Sequence, residues 1–219
     1  GNFVFEWDLR VVDAQPACLL GLYEEFVSSG KMDNLLSTFN AFTALEEKLP
    51  TTSHVSLVAA FDNEEVGSLS FQGAKSPLLA TTVKRIHDSV HTADPLPPDS
   101  LEAMLQRSFM VSADTAHTIH PQYVAQYHPT VYPEFHRGTA IKVSHGCSYA
   151  TDSVGAAYMQ TLAAAANVPV QYFCNRADKA GGSTIGPISA AQLGIRVVDV
   201  GMSHLAMHSI RELCAVTDF

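Results

Sequence analysis

From Thr139 onward the chain alternates apolar runs of strand length with runs of helix length, and that order leaves few folds open. A strand over Ala140 to Ser144 leads to a helix over Asp152 to Ala166, and a strand over Val170 to Cys174 leads to a glycine-rich turn. A helix over Ile188 to Leu193, a strand over Ile195 to Val200 and a last helix from Ser209 complete the series. Strands joined through helices imply parallel βαβ units. The expected class is therefore α/β: a three-layer α/β/α sandwich around a largely parallel mixed sheet.

The first half is less regular. Phe3 to Val12 alternates as a strand would, until Asp13-Ala14-Gln15-Pro16 breaks it. Leu19 to Val27 suits a short helix. Asp33 to Leu49 is a clearer one, with Leu35, Leu36, Phe39, Phe42 and Leu45 at helical spacing and Pro50 as its stop. His54 to Phe61 has the length and apolar continuity of a buried strand. Lys75 to Val90 reads as a helix, Ala93 to Pro98 as a surface loop, Leu101 to Arg107 as a short helix, and Ser108 to Ser112 as a strand that delivers Asp114. Residues 117–138 are rich in His, Pro and Tyr without a clear period, and a loop this long is usually functional or mobile.

Composition narrows the function classes. The chain has 219 residues, 47% of them hydrophobic, enough for one substantial core, so residues 1–219 are read as one domain. A net charge of −9 with 13 Lys+Arg and no basic run argues against nucleic acid, whose binding rests on neutralising phosphates. Cys18, Cys147, Cys174 and Cys214 form no C-x-x-C pair and read as scattered buried thiols of a reducing compartment. No stretch is long and apolar enough to span a membrane, and the first residues lack the pattern of a signal peptide. There is no initiator Met, so the sequence is expected to start partway through a longer protein.

The chemistry concentrates in Phe61-Asp62-Asn63-Glu64-Glu65-Val66-Gly67-Ser68. Adjacent carboxylates at the end of a buried strand lose solvation and call for compensation, which a metal would supply. Ligands of open α/β sheets bind at such strand ends. Asp33 opens a helix, where an N-cap is the plain reading; Asp114 follows a strand, where an Asx-turn is. His208 lies in His204-Leu205-Ala206-Met207-His208, whose spacing matches the two ligands of H-E-x-x-H but lacks its Glu. Taken singly, each plain reading is favoured. Jointly, carboxylate and imidazole groups at several strand ends are what a hydrolytic zinc pair needs, with one Asp bridging ions about 3.5–4 Å apart and a free Glu as base.

Five strings fall in an order that resembles the aspartyl aminopeptidases, cocatalytic dizinc exopeptidases. They are Lys31-Met32-Asp33-Asn34-Leu35, Asp62 to Ser68, Ser112-Ala113-Asp114-Thr115-Ala116-His117, Gly182-Ser183-Thr184-Ile185-Gly186-Pro187 and Met207-His208-Ser209-Ile210-Arg211-Glu212. The likeness runs from about Phe5 to Leu213. It implies Asp33 as the carboxylate bridging both zinc ions, Glu65 and His208 as ligands of one ion, and Asp114 as ligand of the other. Glu64 would be the general base acting on a bridging hydroxide. Lys142 would face the acidic side chain of the substrate's first residue, suited to it by charge, with Tyr149 near the same pocket. The plain reading of Lys142 is a surface lysine on an edge strand. His117 and His120 are assigned loop or supporting roles, and the turn at Gly181 to Gly186 lacks the G-K-[ST] ending of a phosphate loop.

Two departures qualify the resemblance. The family's H-x-D segment, which supplies a zinc-binding His upstream of an inserted dimerisation domain, has no counterpart here. The chain also stops soon after the last ligand motif. The expected function is a zinc aminopeptidase that removes N-terminal Asp or Glu from peptides, represented by the C-terminal portion of its catalytic domain. The alternative is an inactive or scaffold-like piece of a larger assembly. The resemblance also implies a homo-oligomer, a dodecamer; cytosol is the expected compartment, with the vacuole as alternative.

Overall fold

A computed structural model describes residues 3–47, 54–90 and 96–219. Strands β1 (Cys18–Leu20) and β2 (Phe26–Ser29) precede helices α1 (Met32–Glu47), α2 (Leu78–Val90) and α3 (Ser100–Gln106). Then come β3 (Phe109–Ala113), β4 (Ala116–His117), β5 (Thr139–Val143), α4 (Ser153–Ala166), β6 (Val170–Cys174) and α5 (Gly186–Leu193). Strands β7 (Arg196–Gly201), β8 (Ser203–Leu205) and β9 (Glu212–Ala215) close the chain.

The α/β class holds, with the strands divided between two mixed sheets. One has the order β3-β7-β5-β6, in which β3 and β7 run parallel, β5 and β6 run parallel, and β5 meets β7 antiparallel. The other has the order β1-β2-β9-β8-β4. The sheets share two chain paths, because β3 passes into β4 and β7 into β8 with only Asp114-Thr115 and Met202 between. Backbone bonds carry the ladder across that junction, from Asp114 N to Val200 O at 3.0 Å and from Ala116 N to Met202 O at 2.8 Å.

The core under the four-stranded sheet is Ile141, Val198 and Val200 against Ala156 of α4. Helix α4 begins where the Asp152 carboxylate accepts the N–H of Gly155 at 2.6 Å, and it ends at Asn167, whose φ of 54° is the left-handed cap. A second cluster of Met32, Leu36, Met202 and Cys214 seats the start of α1 near the other sheet.

Four local expectations are corrected. Leu19 to Val27 is a hairpin, not a helix, with Cys18 opposite Ser28 and Leu20 opposite Phe26. The turn between uses Gly21 at φ 97° and Glu24 at φ 56°, conformations that a helix does not contain. Phe3 to Val12 is exposed and irregular and joins no sheet. His54 to Phe61 is not a strand either, with Val55 74% exposed. Apolar continuity favours a strand only where a neighbouring strand satisfies its backbone, and β3, the edge of its sheet, bonds only to β7 among the described residues. Finally, the segment after Ser209 enters β9, paired with both β2 and β8, instead of a helix. Residues 48–49 of the helix expected from Asp33 and residues 93–95 of the expected surface loop lie outside the described residues, and of the thiols expected to be buried, Cys18 and Cys147 are exposed.

Candidate metal centre

Three stretches far apart in sequence meet at the junction of the two sheets. At the start of α1, Asp33 (φ −79°, ψ 106°) and Asn34 (φ −121°, ψ 33°) are not helical. Its carboxylate faces Nε2 of His208 at 2.9 Å. Asn34 donates through Nδ2 to Ala113 O at 2.8 Å, tying this backbone to the end of β3 just before Asp114.

Glu64 and Glu65 lie in a 3-10 turn, entered through Asn63 at φ 61° and left through Gly67 at φ 97°. A side chain at Gly67 would meet nothing within 4 Å, so the glycine is there for its backbone angle. The turn holds Glu65 Oε2 3.1 Å from His208 Nε2. His208 itself has φ 67° in a tight bend after β8. The donor atoms of Asp33, Glu65 and His208 all lie within 4.8 Å of one another, the one such group of three found among the described residues.

Charge at this point is unbalanced. Burial, then the carboxylates of Asp114 and Glu65, push Asp33 up to about 7. Burial and the same two neighbour positions, Asp114 and Glu65, also raise Glu64, opposed by Lys142 and His208. Burial disfavours the His208 imidazolium, yet Glu65 and Asp33 outweigh it and raise its pKa. Crowded carboxylates beside an imidazole are stabilised by a cation, and oxygen and nitrogen donors of this kind suit zinc.

Comparison with known proteins gives a family whose description names zinc. The family described as Aminopeptidase I zinc metalloprotease (M18) matches residues 2–219. The chain belongs to the M18 family. It is 42% identical to a probable aspartyl aminopeptidase of Ricinus communis over 224 residues, 100% of this chain and 45% of that relative. It is 40% identical to probable M18 family aminopeptidase 2 of Clostridium novyi over 215 residues, 98% of this chain and 48% of that relative. Among solved structures, the complex of Ape4 and Nbr1 superposes with a TM-score of 0.88 at 40% identity, covering 94% of this chain and 39% of that one. The mApe1 dodecamer of S. cerevisiae gives 0.81 at 32% identity, covering 94% of this chain and 46% of that one. The chain thus spans about half the length of the curated relatives it matches.

In this M18 chain Asp114 lies next to Asp33 and also forms an ion pair, its Oδ2 3.2 Å from Nζ of Lys142. Lys142 is not a surface lysine on an edge strand. Strand β5 is paired on both sides and Lys142 is 3% exposed. Its ammonium sits 5.4 Å from the centre of the Tyr149 ring. Tyr149 packs edge-on against Phe173 at 5.9 Å, and burial pushes its hydroxyl up to about 12. Gly201 permits this crowding, since a Cβ there would lie 2.1 Å from Asp114 O and 2.9 Å from Lys142 Cε.

The other sequence-level suggestions separate from the cluster. His117 and His120 are not among its donors, and His120 Nδ1 accepts the N–H of Gln122 at 3.2 Å in its own loop. The glycine-rich turn is pinned at Thr184, whose hydroxyl donates to the buried Asp199 at 2.7 Å. A surface recess of about 430 Å³, lined by Arg107, Asp152 and Arg196 among others, shares no residue with the metal cluster.

Two buried residues were given no role by sequence reasoning. Glu212 is 2% exposed, and its carboxylate accepts the backbone N–H of Asp33 at 3.0 Å and of His208 at 2.8 Å. His204 is fully buried, 3.8 Å from Glu212, with no hydrogen-bond partner for either ring nitrogen among the described residues. Burial, with His117 adding to it, pushes His204 down to about 4. The signal available for Glu212 was its place in the Met207 to Glu212 string, where it had no role.

Proposed function

We propose that this chain is the C-terminal catalytic portion of a zinc aminopeptidase that removes N-terminal Asp or Glu from peptides. The observation that carries the reading is the convergence of Asp33, Glu65 and His208 from three separate segments into one set of donors. Those residues would hold one zinc ion, and Asp33 together with Asp114 would hold a second. Bound zinc polarises the scissile carbonyl and makes water a stronger nucleophile at neutral pH.

Glu64 is the proposed general base. It takes a proton from the attacking water and passes it to the departing amine. Its raised pKa, caused first by burial, brings a carboxylate closer to the range where such transfer is efficient. Lys142 supplies the positive charge for an acidic first residue, with Tyr149 fixing the ammonium from one side. The S. cerevisiae relative described as a dodecamer supports a homo-oligomer, and we assign this chain to an assembly of that kind. The proposed compartment is the cytosol.

A second reading, a non-catalytic subunit or scaffold piece, is favoured by one observation: Asp114 is already ion-paired with Lys142. Zinc content per chain, read beside hydrolysis of an N-terminal Asp-amide reporter, decides between them. Two zinc ions with turnover support the aminopeptidase. One ion or none, without turnover, supports the second reading.

A further inference from the structure

We propose that Glu212 is the positioning residue of the metal centre, a buried carboxylate that sets two metal donors through their main-chain N–H groups. The inference rests on the metal reading above and adds to it the residue that fixes the geometry. Asp33 and His208 are 175 residues apart, and neither sits in regular structure. Asp33 lies in a non-helical entry to α1 and His208 in a bend of positive φ. Neither side chain can be aimed unless its backbone is held.

Glu212 holds both. Its Oε2 accepts from Asp33 N at 3.0 Å and its Oε1 from His208 N at 2.8 Å. Glu212 is itself held as the first residue of β9, where its backbone pairs opposite Ser29 of β2. Its charge is 2% exposed, and no Lys or Arg pairs with it among the described residues. A buried carboxylate without such a partner is costly unless hydrogen bonds stabilise the charge. Two acceptor oxygens on one side chain are a property of Asp and Glu alone; a Gln in the same place accepts with one oxygen and turns an N–H₂ toward the other donor. Groups that orient metal ligands in this way typically change metal affinity when removed.

The test uses wild type, Glu212→Ala and Glu212→Gln, with Asp218→Asn as control. Asp218 is a second buried carboxylate that accepts two backbone N–H groups, those of His136 and Gly138, each at 2.9 Å, away from the metal donors. Zinc affinity is read by competition with a chromophoric chelator, and exchange of the Asp33 and His208 amide protons by NMR. Glu212→Ala is expected to weaken zinc binding about 10–100-fold and to speed exchange at both amides. Glu212→Gln should fall between, and Asp218→Asn should leave both readouts at wild type. If Glu212→Ala does not fold, Glu212→Gln decides. Wild-type zinc affinity and exchange in the Glu212 variants overturn the proposal, as does an equal loss in Asp218→Asn. If the wild type takes up no zinc, the metal reading falls, and the exchange rates still decide whether Glu212 holds both backbones.

Discussion

Nε2 of His208 stands 2.9 Å from Oδ2 of Asp33, although the two residues lie near opposite ends of the chain. The same nitrogen stands 3.1 Å from Glu65. One imidazole thus gathers two carboxylates, and the group loses its purpose if any one donor is removed. His208→Ala and Asp33→Asn are each expected to abolish tight zinc binding, seen as loss of zinc retained through dialysis. Retention at the wild-type level in either variant would remove that residue from the ligand set.

Glu64 is expected to behave differently from its neighbour. Glu64→Gln keeps the size of the side chain and removes the base, so zinc content should stay while kcat falls by about 10²–10⁴. Glu65→Gln should lower zinc content. Equal losses of metal in the two variants would contradict the division of roles between adjacent glutamates.

Lys142→Met removes the buried ammonium while keeping the stem. Truncating one partner of a buried charge pair costs about 2–5 kcal/mol, so kcat/KM for Asp- and Glu-amide reporters should fall more than tenfold relative to an Ala-amide reporter. The variant should also lower Tm, because Asp114 loses its partner. An unchanged preference for acidic first residues, at whatever stability, would place the selectivity elsewhere.

His204 supplies a pH dependence of stability. Burial lowers its folded pKa from 6.5 to about 4, with His117 and Lys142 pushing the same way and Asp114 opposing. The unfolded chain therefore binds a proton at higher pH than the folded one. Stability is fully present above about 6.5 and is lost as pH falls toward about 4, by up to about 3 kcal/mol. His204→Gln should flatten this part of the profile, measured as Tm between pH 7 and pH 4.5. A slope unchanged in that variant would assign the acid sensitivity to other groups.

Asp199 is expected to matter for the fold and the turn it anchors. It is fully buried and accepts from Ala150 N at 2.5 Å and from the Thr184 hydroxyl at 2.7 Å. Asp199→Ala leaves both donors buried without an acceptor, a loss of about 2–4 kcal/mol in chemical denaturation. Stability within about 0.5 kcal/mol of wild type would show that water replaces the carboxylate there.

Sequence by itself determined the elements whose pattern is local. The strands β3, β5, β6 and β7 and the helices α2 to α5 stand close to where periodicity and punctuation put them, since apolar spacing, an Asp cap and a Gly stop act within a few residues. The carboxylates and the histidine of the metal cluster were legible through the motif strings. Tertiary structure decided what no window of sequence contains. The hairpin at Cys18–Ser29 and the strand at Glu212–Ala215 exist because each pairs with the other's neighbourhood across the whole chain, with Ser29 opposite Glu212. Lys142 is buried because β5 gained partners on both sides. The His54 to Phe61 run stayed out of the sheets for the converse reason, that apolar residues alone do not make a ladder. Which residues bear ligand chemistry is written in their side chains; that Glu212 holds two of them depends on a backbone geometry made only by the closed fold.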